Sequence, residues 1–134
     1  IDKVAEVFGQ DDFLFSWDLK DGYWHQELHE GMQEYMCFGW GGEIFCFACV
    51  PFGLAPACWV FTKLIRVFVD SWRSQGMSCL SYIDDGVGGA KGWSRALYHR
   101  NILISTLVDI GWFINWPKSN WELSQKADFI GYII

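Results

Sequence analysis

Phe13-Leu14-Phe15-Ser16-Trp17-Asp18 is a short, mostly apolar run that ends on a carboxylate, the pattern of a buried central strand that carries an acid to the edge of its sheet. A second such run, Cys79 to Asp84, ends on another carboxylate 66 residues after the first. Asp85-Gly86 follows at once. That dipeptide is a strong two-residue hairpin signal, so Val87 to Ala90 is expected to return antiparallel.

Outward from these two runs the remaining elements fall into order. Asp2 to Phe8 reads as the end of a helix closed by Gly9, and Asp21-Gly22 as a turn. Tyr35 to Trp40 and Ile44 to Val50 read as strands joined by Gly41-Gly42. Pro56 opens a helix that runs to about Gln75 and stops at Gly76, with Phe61, Leu64, Ile65, Phe68 and Trp72 on one face. A further helix spans about Ser94 to Ile110 and ends at Gly111, before two expected strands at Trp112 to Trp116 and Phe129 to Ile134. The class expected is α+β, an antiparallel or mixed sheet with two helices packed on one face.

Composition narrows the function classes. The 134 residues are 51% hydrophobic and include nine Trp, which excludes a disordered segment; core packing is the expected role of most of those Trp, Trp17, Trp24, Trp59 and Trp72 among them. The net charge of −6 offers no general attraction for nucleic acid but suits a site that gathers carboxylates. Five Cys, an odd number, argue against a closed disulfide framework, and Cys46 and Cys49 are expected as reduced core residues rather than zinc ligands. Ile44 to Thr62 carries no charge over 19 residues, yet Pro51, Gly53 and Pro56 would break a membrane helix near its middle, so no membrane span is expected. The chain starts at Ile1-Asp2-Lys3 with no leader visible, as an excerpt of a longer, intracellular and unsecreted polypeptide would.

If the strands ending at Asp18 and Asp84 are neighbours, both carboxylates emerge at one edge with Asp85 beside them. Three acids that close repel unless a divalent cation neutralises them, and hard oxygen ligands suit Mg²⁺ or Mn²⁺ with a phosphate-bearing substrate. Taken singly, each Asp also has an ordinary explanation in turn chemistry. Another carboxylate-metal enzyme, a nuclease or phosphatase, would call for a His or further acids at the site, and His25 and His29 show no such pairing.

Five segments in order decide between these readings. Asp18-Leu19-Lys20-Asp21-Gly22-Tyr23 resembles the first catalytic motif of reverse transcriptases, and Pro51-Phe52-Gly53-Leu54 with Ala55-Pro56-Ala57 the next. Tyr82-Ile83-Asp84-Asp85 is similar to the family's Tyr-x-Asp-Asp box. Gly111 to Asn115 with Lys118 and Ser119 resembles the lysine-bearing motif, and Phe129-Ile130-Gly131-Tyr132 the primer-gripping strand. Phe61-Thr62-Lys63, Ser74-Gln75-Gly76 and Phe113 to Ser119 look most like DIRS-type (tyrosine-recombinase) retrotransposons, with gypsy-type elements next.

The resemblance implies a polymerase palm, with about residues 28–50 forming the base of the fingers and with the thumb and most of the fingers absent. It implies RNA-directed DNA polymerase activity, adding dNTPs to a primer on an RNA or DNA template with two Mg²⁺ ions, Mn²⁺ substituting. The rest of the fingers, a thumb and an RNase H domain would be partners within the same polypeptide. A decayed retroelement copy, acting only as a structural or nucleic-acid-binding module, is the alternative.

By position, Asp18, Asp84, the Leu19 carbonyl and, more weakly, Asp85 would hold the metals. The Asp21 and Gly22 N–H groups would hold the triphosphate. Tyr23 would exclude a 2′-hydroxyl, Phe52 and Gly53 would line the nucleotide pocket, and Lys118 would protonate pyrophosphate. Tyr82, Gly131 and Tyr132 would contact the primer end, Gly131 by allowing close backbone approach or by marking a strand bulge. Two departures stand out. Gly22 replaces a commoner residue with a methyl group, and the glycine-rich Gly86-Val87-Gly88-Gly89 strand is expected to pack less and loosen the hairpin carrying Asp84.

Overall fold

The computed structural model describes residues 2–134. A four-stranded sheet, all of its pairings antiparallel, has the order β4-β5-β1-β6, built from β1 (Asp12–Asp18), β4 (Ser78–Tyr82), β5 (Asp85–Lys91) and β6 (Asn120–Ser124). Phe15 and Trp17 of β1, with Leu19 just beyond its end, pack under α3 (Ala57–Ser74) and α4 (Trp93–Asp109), whose Phe61, Ile65, Val69, Trp72, Leu103 and Leu107 complete the main core. On the opposite face Leu14 and Val87 are covered by α1 (Asp2–Val7) and by a small hairpin, β7 (Asp128–Phe129) and β8 (Tyr132–Ile133). The two-period alternation of β1 thus divides its side chains between two cores.

Gly86 and Gly88 of β5 lie opposite Trp17 and Phe15 in register. A Cβ at Gly86 would sit 2.0 Å from the Trp17 ring, and one at Gly88 2.6 Å from the Phe15 ring. The aromatic rings of β1 lie across β5 and occupy the space its glycines leave open. The expectation of a loosely packed return strand is therefore corrected: Val87 is wholly buried and Ala90 nearly so.

Several other expectations shift. The turn of the β4–β5 hairpin is Ile83-Asp84, two residues earlier than Asp85-Gly86, because Tyr82 pairs with Asp85 and Gly86 is needed inside the strand under Trp17. Ile83 adopts φ 52°, a strained region for a β-branched residue. β4 is not the neighbour of β1, since β5 lies between them, so Asp85 and not Asp84 faces Asp18. Residues 112–116 form no strand, only a bridge between Ile114 and Leu19; the strand that closes the sheet is β6, which sequence periodicity missed.

The expected strand at 129–134 is the β7–β8 hairpin, with its turn at Ile130-Gly131. Gly131 has φ 78° and serves the turn of this hairpin, not a strand bulge, and no other part of the protein lies against its Cβ position.

The segment between the core elements is a short 3-10 turn (Gly22–His25), α2 (Glu30–Gln33), and a hairpin of β2 (Cys37–Trp40) and β3 (Glu43–Cys46). Both strands of that hairpin are exposed throughout, and Cys37 and Cys46, directly paired across it, form a disulfide. Reduced core thiols are therefore the wrong reading for Cys46, while Cys49 is half-buried and Cys79 fully buried, with its thiol pushed up to about 11 by burial. Of the nine Trp only Trp17, Trp72 and Trp112 are buried; Trp24 and Trp59 stand exposed, the latter with Lys63 over its ring, which corrects the expectation that most would be core. Among the described residues no helix is long and apolar enough to cross a membrane.

The ring-over-glycine packing sets a stability test. Gly86→Ala, forced against the Trp17 ring, is expected to cost about 2–4 kcal/mol in denaturant unfolding, whereas Gly39→Ala on the exposed hairpin, whose nearest neighbour would be 3.9 Å away, should stay within about 0.5 kcal/mol.

Candidate active site

Asp18 ends β1 because the chain beyond it is captured by a different partner. Leu19 N–H donates to the Asp84 carbonyl (3.0 Å) and Lys20 N–H to the Phe113 carbonyl (2.8 Å). The 111–119 segment wraps Asp18 on three sides. Asn115 N–H donates to its carbonyl (2.9 Å), Asp18 N–H donates to Ser119 Oγ (3.0 Å), and Asn115 Nδ2 donates to Asp18 Oδ1 (2.7 Å). Asn115 is held in turn by its own carbonyl, which accepts from Lys118 N–H (3.1 Å) and Ser119 N–H (2.9 Å). Asn115 and Ser119 thus fix one carboxylate of the site. Both residues belong to the lysine-bearing motif, and an Asn and a Ser flanking Pro117-Lys118 after a helix-ending Gly are the signal that the sequence offers for them.

The carboxylates are shared out between two clefts, Asp84 lining one and Asp18 with Asp85 the other. One, of about 170 Å³, is lined by Asp21, Gly22, Tyr23, Phe52, Phe61, Ile83 and Asp84. The other, of about 250 Å³, is lined by Asp18, Asp85, Lys118 and the turn residues Ile130 and Gly131, among others. Asp18 and Asp85 are register partners with their carboxyls in hydrogen-bonding reach. Burial, then the charges of Asp84 and Asp18, hold the Asp85 carboxyl above its ordinary value, against the opposing pull of Lys118.

In the first cleft the Tyr23 ring meets Phe61 edge-on at 5.7 Å and Phe52 at 5.2 Å. Burial, then the neighbouring Cys58 thiol and Asp84, raise its phenol above the ordinary value. Asp21 takes a left-handed conformation (φ 55°, ψ 36°) ahead of Gly22, the kind of turn in which successive N–H groups form an anion-binding concavity.

The structure therefore brings together Asp18, Asp84, Asp85 and Lys118, and separately Asp21, Gly22, Tyr23 and Phe52. Leu19 joins them through its backbone, and Gly131 lines the second cleft. Tyr82 and Tyr132 are exposed and line neither cleft, and Gly53 (φ 87°) shapes the loop after Phe52 without lining the first.

A family model described as "Reverse transcriptase (RNA-dependent DNA polymerase)" matches residues 3–134. The chain belongs to the reverse transcriptase family.

The domain is 28% identical, over its whole length, to the retrovirus-related Pol polyprotein from transposon gypsy of Drosophila melanogaster, and spans 13% of that polyprotein. Its fold matches the foamy viral protease-reverse transcriptase in complex with an RNA/DNA hybrid at TM-score 0.82 and 20% identity, covering 91% of this chain and 16% of that one. The prototype foamy virus enzyme in a selenomethionine-labelled mutant form matches at TM-score 0.80 and 18% identity, over 96% of this chain and 17% of the other.

Reverse transcriptases use divalent metal ions. Among the described residues no three His, Cys, Asp or Glu form a preassembled cage. The donors present fit an ion of another kind: mutually repelling carboxylates beside an open cleft suit a hard cation that keeps waters and takes its remaining ligands from a phosphate substrate. In the metal-free protein the Asp85 shift fixes the sign of a pH effect. Between the ordinary value of 3.8 and its raised folded value, the folded state holds the proton more tightly, so stability falls as pH rises through that window. Asp85→Asn is expected to raise the thermal midpoint at pH 7 in chelator-treated protein. That gain should shrink as the pH is lowered toward 3.8.

Proposed function

We propose that this chain is the palm of a retrotransposon reverse transcriptase, with residues of about 28–50 as the base of its fingers, and that it extends a primer with dNTPs on an RNA or DNA template. The observation that carries the proposal is the convergence of Asp18, Asp84 and Asp85, close enough for the first and second to act on the third, with one cleft beside Asp84 and another beside Asp18 and Asp85. The foamy viral relatives, in complex with an RNA/DNA hybrid and with double-stranded DNA, support the choice of nucleic-acid partner.

Asp18 and Asp84, with the Leu19 carbonyl and Asp85, would hold two Mg²⁺ ions (Mn²⁺ as substitute), whose charge activates the primer 3′-hydroxyl and steadies the triphosphate. The chain's own groups do the rest. Asn115 Nδ2 orients the Asp18 carboxylate. The Asp21 and Gly22 N–H groups receive the triphosphate, and the Tyr23 ring, braced by Phe61 and Phe52, occupies the space a 2′-hydroxyl would need. Lys118 Nζ, beside Asp85, carries the proton for the departing pyrophosphate, and Gly131, Tyr82 and Tyr132 guide the primer strand.

The finer assignment to DIRS-type elements rests on Phe61-Thr62-Lys63, Ser74-Gln75-Gly76 and Phe113 to Ser119. Action inside the cell, as one part of a polypeptide with further fingers, a thumb and an RNase H domain, belongs to the same proposal.

Primer extension on an oligo(dT)-primed RNA template, with the domain carried in its native flanking sequence, tests the reading. Wild type should extend with Mg²⁺ or Mn²⁺, and Asp84→Asn should be slower by about a thousandfold, equivalent to several kcal/mol of lost transition-state stabilisation. Absence of extension by folded, metal-binding wild type would contradict an active polymerase and leave a decayed palm.

A further inference from the structure

Gly22 is the residue of the first motif whose missing methyl group departs from the commoner pattern, and the structure gives that departure a partner. A Cβ at Gly22 would stand 2.7 Å from Cε2 and 2.8 Å from Cζ of Phe61, closer than real Cβ contacts allow. Phe61 has nowhere to retreat. It is fully buried, and the Trp112 ring stacks behind it at 5.4 Å and 21°. Trp112 is itself braced by Phe68 at 5.6 Å and by the His25 ring at 5.5 Å. The next residue after Gly22, Tyr23, rests edge-on against the same Phe61 ring at 5.7 Å. Gly22, Tyr23, Phe61 and Asp84 all line one cleft.

We infer that Gly22 and Phe61 are a size-matched pair, and that Phe61 is a positioning residue that sets both the triphosphate turn and the sugar-facing ring of Tyr23. The inference rests on the proposal that this cleft takes a dNTP, and it adds a determinant of sugar selection. The ring of Phe61 fills the volume that a methyl at position 22 would claim. In this chain one buried side chain therefore sets the height of the turn and, together with Phe52, the tilt of the Tyr23 ring. Two consequences follow from close packing. Enlarging position 22 must push the turn or the Phe61 ring out of place, and shrinking position 61 must free the Tyr23 ring.

The test is steady-state incorporation of dTTP and UTP opposite template adenine by the domain in its native flanking sequence. Gly22→Ala is expected to raise KM for dTTP about tenfold, with a smaller effect on kcat. Phe61→Leu should lower the preference for dTTP over UTP by about tenfold, because a ring that loses its brace no longer blocks ribose. The double variant, with room for the new methyl, should recover most of the dTTP affinity lost in Gly22→Ala while remaining poorly selective.

A double variant whose KM defect is the product of the two single defects would overturn the pairing. If Gly22→Ala does not fold, Phe61→Leu decides alone, and unchanged sugar selectivity there would overturn the inference. Tyr23→Ala separates the two levels of the argument. Selectivity that survives Tyr23→Ala overturns the assignment of the cleft and the pairing with it. Selectivity that collapses in Tyr23→Ala but not in Phe61→Leu overturns the role of Phe61 only.

Discussion

The antiparallel pairing of β1 with β5 is the constraint on which the rest of the molecule depends. It runs unbroken from Asp12↔Lys91 to Asp18↔Asp85. It holds because two large rings, Phe15 and Trp17, lie across two glycines, Gly88 and Gly86. In strands a glycine alone weakens pairing, but a ring from the neighbouring strand laid over it restores the lost contact area. A slip of one residue would clash those rings with Val87 and turn Asp18 into the helical core, so the packing that stabilises the sheet also fixes which acids meet at its end. The meeting of these acids is in this sense a by-product of core packing.

What that register leaves unresolved, a second layer of hydrogen bonds supplies. Asp18 sits at the end of its strand, where its backbone would otherwise be left unpaired. Ser119 and Asn115 satisfy its N–H, its carbonyl and one carboxylate oxygen. Strain of the backbone itself falls at Ile83, held at φ 52° in the turn that carries Asp84, and at Ile130, at φ 45° in the β7–β8 turn. A β-branched residue there costs stability that an Asn or Gly would not, and such strain is tolerated where the surrounding sheet over-determines the turn. Backbone strain thus sits next to an acid, while α3 and α4, which complete the main core, are regular helices.

The strands and helices of the core were legible in the sequence because their side chains obey one period. The apolar residues of the run Phe13 to Trp17 and the helical face Phe61, Ile65 and Trp72 are examples, and all of these but Phe13 lie in the main core or the one behind it. The acids Asp18, Asp84 and Asp85 were legible because each closes or turns a strand. What escaped reading has a common cause, namely that it depends on partners far away in the chain. Asp85-Gly86 has the composition of a turn, but Trp17 requires Gly86 inside the strand. Asn120 to Ser124 carries a weak alternation, and its strand exists because β1 offers a free edge. Cys37 and Cys46 meet only once the Gly41-Gly42 turn sets the register of their hairpin. Asn115 lies in a recognisable segment before Pro117-Lys118, but its partner Asp18 is 97 residues away in the chain and nothing local names it.

The central claim is that the β1–β5 register assembles a cation site from Asp18, Asp84 and Asp85 which a nucleoside triphosphate completes. Its most direct test is Mn²⁺ binding followed by electron paramagnetic resonance, with and without dTTP, in wild type and Asp18→Asn. The account predicts that dTTP tightens Mn²⁺ binding to wild type and that Asp18→Asn loses this tightening, weakening binding by at least about tenfold, a difference of 1.4 kcal/mol. Equal Mn²⁺ affinity in the two proteins, indifferent to dTTP, would contradict it.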